Sequence, residues 1–314
     1  MRLARAATRR CRSAYEKRQG RVLWLTWAGI AAVVTVDIGW FYATSWRISE
    51  SWSTASFAGL AFLAGLLIVA HWTIVEWNEL VFMHSVAQCF VMVPATAVLS
   101  YLAPSIVFPL IDDKLVGFDA WLGFDWRQYS AWLSSEPQIA HLLSNVYRFA
   151  INQILVVLPI LCLLRALARV QHFVGGFLVS AVLTIVVATL WPAFGAYSYF
   201  NVDLGQMAKS HPPAGFAHLE VLGSIRDGTL RLIDGNMEGL VTFPSFHASV
   251  AILLAYAAWP LRQLRPFTFV INGLMVVSAI GEGGHYLADL IAGVAVAAAS
   301  LVLMRRLLPA TKEP

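Results

Sequence analysis

Pro244-Ser-Phe-His-Ala-Ser-Val-Ala-Ile-Leu-Leu-Ala-Tyr-Ala-Ala-Trp-Pro-Leu-Arg-Gln-Leu-Arg-Pro266 is an apolar run that opens on a proline and closes on a short basic turn with a proline on either side. Proline suits the first turn of a helix and cannot continue one, so the run predicts a helix over Pro244–Leu261 with Thr242 or Phe243 near its cap. A second helix, Pro266–Ile280, follows at once, and the pair forms a tight hairpin. Beyond it, Gly281-Glu-Gly-Gly284 permits a break, and a third apolar run extends over His285–Leu308.

Working outward, hydropathy gives five further segments near the roughly 20-residue length that a bilayer core demands. They are Val22–Thr44, Ser56–Val75, Leu80–Phe108, Tyr147–Leu167 and Val174–Phe194, with Pro94 and Pro104 placed to kink the third. The composition agrees: 59% of the 314 residues are hydrophobic and 13% charged, too few charges to cover a water-facing surface. The expected fold is an all-α membrane protein of about eight transmembrane helices. A basic tail over 1–21 precedes two N-terminal helices over 22–79 and a six-helix core over 80–308.

Charge sets the orientation. Arg2, Arg5, Arg9, Arg10, Arg12, Lys17, Arg18 and Arg21 crowd the tail ahead of an apolar segment, which reads as a cytoplasmic anchor and not as a nucleic-acid site. With the tail inside, Arg165 and Arg169, Arg262 and Arg265, and Arg305, Arg306 and Lys312 all fall on cytoplasmic turns. The long connections Ile111–Val146 and Gly195–Phe243 then face outward, the first with an amphipathic stretch, Trp121 to Leu143, suited to the membrane surface. The tail also has the Arg-rich composition of an organellar transit peptide, but the location expected is a bacterial inner membrane, with the site on its non-cytoplasmic face. Cys11, Cys89 and Cys162 make no disulfide framework and no metal-ligand spacing.

Two stretches carry chemistry. Ser245 and His247 fall in the first turn of the sixth span, where free N–H groups and the helix dipole offer a seat for phosphate; alone, an interfacial histidine is the ordinary reading. His285 and Asp289 stand four apart, on one face of the eighth span, so the carboxylate can hold one imidazole nitrogen and leave the other as a nucleophile. Alone, this is as easily a structural pair. The hairpin, however, returns both helix ends to one membrane face. Two imidazoles and a carboxylate around a phosphate seat are a complement for phosphoryl transfer without metal.

Phe243-Pro-Ser-Phe-His247 and His285-Tyr-Leu-Ala-Asp289-Leu-Ile-Ala-Gly293 resemble the second and third signature motifs of the type 2 phosphatidic acid phosphatase superfamily, most closely its inositol phosphorylceramide synthase-like branch. The resemblance implies that His285 attacks phosphorus, Asp289 orients it, His247 serves as acid and base, and Ser245 cradles the phosphoryl oxygens. It implies a lipid phosphate substrate among membrane lipids, no cofactor or metal, and water or an alcohol as acceptor. The chain departs from the pattern at Ala279, where the family has arginine, at Phe246, where glycine is usual, and in lacking the first motif. Of Lys209, Arg226 and Arg231, the cations between the fifth and sixth spans, Arg226 and Arg231 are the nominated phosphate clamp; solvated loop charges are the bland alternative. Asp37, His84 and Gln88 read as interhelical hydrogen-bonding groups, and Glu282 as either a head-group ligand or a water-facing acid. The rival class is a lipid transporter or flippase, but paired interrupted helices, its usual mark, are lacking.

Overall fold

The computed structural model describes residues 2–73, 76–149, 151–202, 214–235, 237 and 239–309; Lys209 and the side chain of Cys11 fall outside these. Among the described residues the regular structure is helical but for one two-residue strand pair. In chain order come α1 (Arg2–Ala43), β1 (Arg47–Ile48), α2 (Glu50–Thr73), α3 (Trp77–Leu102), α4 (Asp112–Trp121), α5 (Trp126–Ser135), α6 (Pro137–Phe149), α7 (Ile154–Leu163) and α8 (Leu167–Leu190). They are followed by α9 (Ala196–Tyr199), α10 (Ala214–Arg226), β2 (Leu232–Ile233), α11 (Phe246–Ala258), α12 (Arg265–Glu282) and α13 (Leu287–Leu307).

Among the described residues, five helices are long and apolar enough to cross a membrane, and α6 with α7, bent by 50° at their break, make a sixth when read as one span. The other two expected spans correspond to α11, 13 residues, and α12, 18 residues, neither of which is by itself long and apolar enough to cross a membrane. Three expected boundaries are corrected. The basic tail and the first span are one continuous helix. The third span ends at Leu102, with Pro104 in the 3₁₀ turn that closes it and Pro94 inside the helix. The fourth begins at Pro137, ten residues ahead of Tyr147, so the end of the amphipathic stretch belongs to a span and packs along α12.

Helix α11 sits in the middle, against α7, α8, α12 and α13; α1 and α3 flank α8, and α2 leans on α3 at the periphery. The core between them is built of Leu161, Val170, Phe173, Leu253, Leu254, Ala257, Met275 and Ala297 with their neighbours. Lipid is as apolar as leucine, so packing and buried polar contacts hold such helices together. Ser180 donates to Ser300 at 2.9 Å, Gln88 Nε2 to Leu23 O at 2.9 Å and Trp27 Nε1 to His84 Nδ1 at 3.1 Å. His84 and Gln88 thus bond to α1, as read. Asp37 is buried, and its Oδ1 has no hydrogen-bond partner among the described residues.

The connections sort into two ends. At one, β1 pairs in parallel with β2, Arg47 opposite Leu232, Arg226 donates to Phe108 O at 2.8 Å, and Asp112 accepts from Gly195 N–H at 2.9 Å. At the other, the exposed Arg165 and Glu76 lie 3.4 Å apart, and His172 Nε2 donates to Leu308 O at 2.6 Å. Both signature stretches lie at the first end.

Candidate active site

The two motifs are joined through their backbones. Ser245 N–H donates to Asp289 O at 2.9 Å, and Ser249 Oγ donates to Gly293 O at 2.7 Å. A Cβ at Gly293 would press into the Ser245 carbonyl oxygen and lie 3.0 Å from Ala248 Cβ, so only glycine lets α13 approach this closely. Ser245 is the N-cap of α11, its hydroxyl accepting Ala248 N–H at 3.4 Å. That corrects the expected start: Pro244 lies ahead of the helix, after a cis Phe243–Pro244 bond, and neither Thr242 nor Phe243 is the cap. His247 remains in the first turn.

His285 also departs from expectation, because it precedes its helix instead of lying on it. Tyr286 is the N-cap of α13 and Asp289 its third residue. Asp289 Oδ2 accepts Tyr286 N–H at 2.9 Å and faces His285 Nδ1 at 3.1 Å. The carboxylate therefore closes the helix end and holds the imidazole at once; its Oδ1 is buried and lacks a hydrogen bond among the described residues. The other nitrogen, Nε2, faces the Ser245 hydroxyl at 3.3 Å. Gly284, with φ +64°, makes the turn before the histidine, and a Cβ there would press against the Tyr197 ring. Burial pushes the His285 imidazole down to about 4, against a backbone hydrogen bond at Thr242 that works to raise it. At neutral pH it is uncharged, with Nδ1–H donated to Asp289 and a lone pair on Nε2.

His247 lies within electrostatic range of His285. Its Nδ1 meets the Tyr147 hydroxyl at 3.1 Å, and the two rings stack with centroids 4.2 Å apart. A third histidine, His218, is buried within range of His285. It donates from Nε2 to Phe194 O at 3.4 Å, and burial pushes it down to about 4.

Helix α4, which sequence reasoning passed over, secures the α13 side. Asp119 accepts Leu287 N–H at 2.9 Å and Ala288 N–H at 2.8 Å; burial raises its carboxyl and these bonds lower it. Asp112 accepts from the Tyr286 hydroxyl at 2.9 Å and from Phe194 N–H at 3.2 Å. Asp112, Leu115 and Asp119 share one face of this short helix, and all three are buried.

The nominated cations are placed apart. Arg226 lines a small cavity with Thr242 and Phe243, packs on the Phe194 ring at 6.0 Å, and has one buried guanidinium nitrogen without a partner among the described residues. Burial lowers it and Asp112 works to raise it. Arg231 turns instead to the Trp46 ring at 5.3 Å and to Ile225 O at 3.4 Å. The structure brings together Ser245, His247, His285 and Asp289, and neither arginine is in hydrogen-bond contact with them among the described residues.

A family model described as the PAP2 superfamily matches residues 113–303. The chain belongs to the PAP2 superfamily. No curated protein and no solved structure matches it. Membership supports a phosphatase or phosphotransferase type of activity in a multi-pass membrane protein. The matched stretch runs from within α4 to the last turn of α13, so it takes in Asp119 and both histidine motifs, with Asp112 one residue ahead of it.

Proposed function

We propose that this PAP2 protein is a lipid-phosphate phosphatase or phosphotransferase that works through a phosphohistidine on His285 and needs no metal. The observation that carries this reading is the buried His285 itself, held through Nδ1 by Asp289 with Nε2 directed at the N-cap of α11. A neutral imidazole fixed through one nitrogen is a nucleophile at the other. Asp112, Asp119 and Asp289 crowd the α13 side, where a phosphate dianion would be repelled. The phosphoryl group is placed on the Nε2 side, where Ser245 and first-turn N–H groups of α11, which lack intrahelical carbonyl partners, can receive its oxygens. Arg226, beside Thr242, is the better placed clamp of the two arginines.

In the first half-reaction Nε2 of His285 bonds to phosphorus, the ester P–O bond breaks, and the leaving oxygen takes a proton from His247. In the second, His247 takes a proton from water or an alcohol, whose oxygen displaces His285 from phosphorus. The core over 80–308 would suffice for this chemistry, with the first two helices an addition, and the active site would face away from the cytoplasm. The synthase-like Phe243-Pro-Ser-Phe-His247 element favours a second reading, transfer of a phospho-head-group to a lipid alcohol in the manner of inositol phosphorylceramide synthase. Hydrolysis is the slightly favoured outcome, since no acceptor-binding motif is recognisable in the outer connections.

Labelled lipid phosphate should leave an acid-labile phosphohistidine on the wild type and none on His285→Ala, which should be inactive. Activity should persist in EDTA. Retained turnover in His285→Ala, or EDTA inhibition reversed by a divalent ion, would overturn the mechanism. The ratio of free phosphate to transferred product with inositol or a lipid alcohol present decides between the two readings.

A further inference from the structure

Tyr147 stands on α6, 100 residues ahead of His247, yet its hydroxyl lies 3.1 Å from His247 Nδ1 and its ring stacks on the imidazole at 4.2 Å with 25° between planes. With Nδ1 engaged and one ring face covered, Nε2 is the nitrogen left to substrate. Helix α6 packs along α12, and α12 ends at Glu282, which is 7% exposed. That carboxyl lies within electrostatic range of the Tyr147 phenol, and of Tyr129 on α5 and Tyr197 on α9. Tyr197 is committed elsewhere, its hydroxyl donating to Gly281 O. Of the three, Tyr147 is the phenol whose hydroxyl meets a site histidine.

We propose that Glu282 and Tyr147 are positioning residues for His247, a second carboxylate-backed imidazole beside the Asp289–His285 pair. The inference rests on the acid–base role given to His247 above. To protonate a leaving oxygen His247 must start as imidazolium. In that state Nδ1–H donates to the Tyr147 oxygen, the Tyr147 O–H is free to point toward Glu282, and Nε2–H faces the substrate. A carboxylate within electrostatic range of the phenol favours this cation. When the P–O bond breaks, the Nε2 proton passes to the departing oxygen and His247 becomes neutral, still donating Nδ1–H to Tyr147. In the second half-reaction Nε2 takes a proton from the attacking water or alcohol, restoring the imidazolium. Tyr147 and Glu282 gain and lose no proton over the cycle; they fix which nitrogen reacts and hold the charge.

The test is single-turnover formation of the phosphoenzyme in full-length protein, using two phosphate monoesters. One has an aryl leaving group that departs as its anion; the other is an alkyl phosphate whose alkoxide must be protonated. Tyr147→Phe keeps the stacked ring and removes the hydroxyl. It should slow phosphoenzyme formation from the alkyl ester about 10–100-fold, the effect of losing a hydrogen bond to a charged group, with substrate affinity and the aryl rate nearly unchanged. Glu282→Gln should act in the same direction and carries the test if Tyr147→Phe does not fold. Equal slowing with both esters, or no slowing with either, would overturn the proposal. His247→Ala separates the two levels of the argument. Selective loss on the alkyl ester in His247→Ala but not in Tyr147→Phe or Glu282→Gln rejects the positioning residues alone. No selective loss in His247→Ala rejects the acid–base reading on which they rest.

Discussion

His285 and His218 are buried imidazoles that folding keeps uncharged, and this couples them to stability. Both are pushed down to about 4, whereas an imidazole in the unfolded chain titrates near 6.5. As pH falls from about 6.5 to about 4, the unfolded chain takes up their protons first, so stability declines with acid. The contribution is complete above about 6.5 and is lost toward pH 4, an effect of up to about 3 kcal/mol per histidine at one pKa unit to 1.36 kcal/mol. His218→Asn should therefore flatten the dependence of the thermal midpoint on pH in that window. An identical slope in variant and wild type would mean that His218 is not held neutral. His218 sits outside both motifs, and its donation to Phe194 O holds it within electrostatic range of His285.

At the scale of elements, the site depends on how closely α11 and α13 approach. Gly293 allows Ser245 N–H to reach Asp289 O and Ser249 Oγ to reach Gly293 O. Gly293→Ala would drive a methyl group into the Ser245 carbonyl. Overpacking of this kind costs about 1–3 kcal/mol; here it also moves the cap residue that faces His285. Activity should fall at least tenfold, with a lower thermal midpoint; a fully active Gly293→Ala protein would show that the motifs need not be in contact. That contact could be read from the sequence, because a short helical hairpin must return its ends to one face and each motif sits at such an end. The helix starts could not. A proline near an apolar run suggests the first turn, but here Ser245, one residue later, caps α11 in its place. Asp112 and Asp119 escaped because their partners are backbone N–H groups some 80 and 170 residues downstream, and nothing in a local pattern announces such a bond. Tyr147 escaped for a different reason: an aromatic residue near a span's end reads as an interfacial anchor, and only the packing of α6 on α12 turns it toward His247.

For the whole molecule, the sorting of connections into two ends makes orientation a single question. The parallel pairing of β1 with β2 ties the α1–α2 turn to the connection preceding α11, the Asp112 contacts tie α4 to the α8–α9 corner, and the site lies among them. The basic turns lie at the other end: Arg165 beside Glu76, and Arg265 donating to Trp259 O at 2.8 Å within the α11–α12 turn. Cationic turns are retained on the cytoplasmic side, so the site should open on the opposite face. That arrangement suits a substrate presented by the outer leaflet and relieves the enzyme of drawing a charged head group across the bilayer, where ionised groups are costly. In a background without the native cysteines, Ser51→Cys and Thr229→Cys should both react with an impermeant thiol reagent added from outside. Gln263→Cys, on the α11–α12 turn, should react only after permeabilisation. Ser51 and Thr229 labelling from opposite sides would contradict the β1–β2 pairing and with it the fold of this end. Labelling of Gln263 alone from outside would leave the fold intact, invert the orientation, and place the histidines where cytoplasmic phosphates reach them.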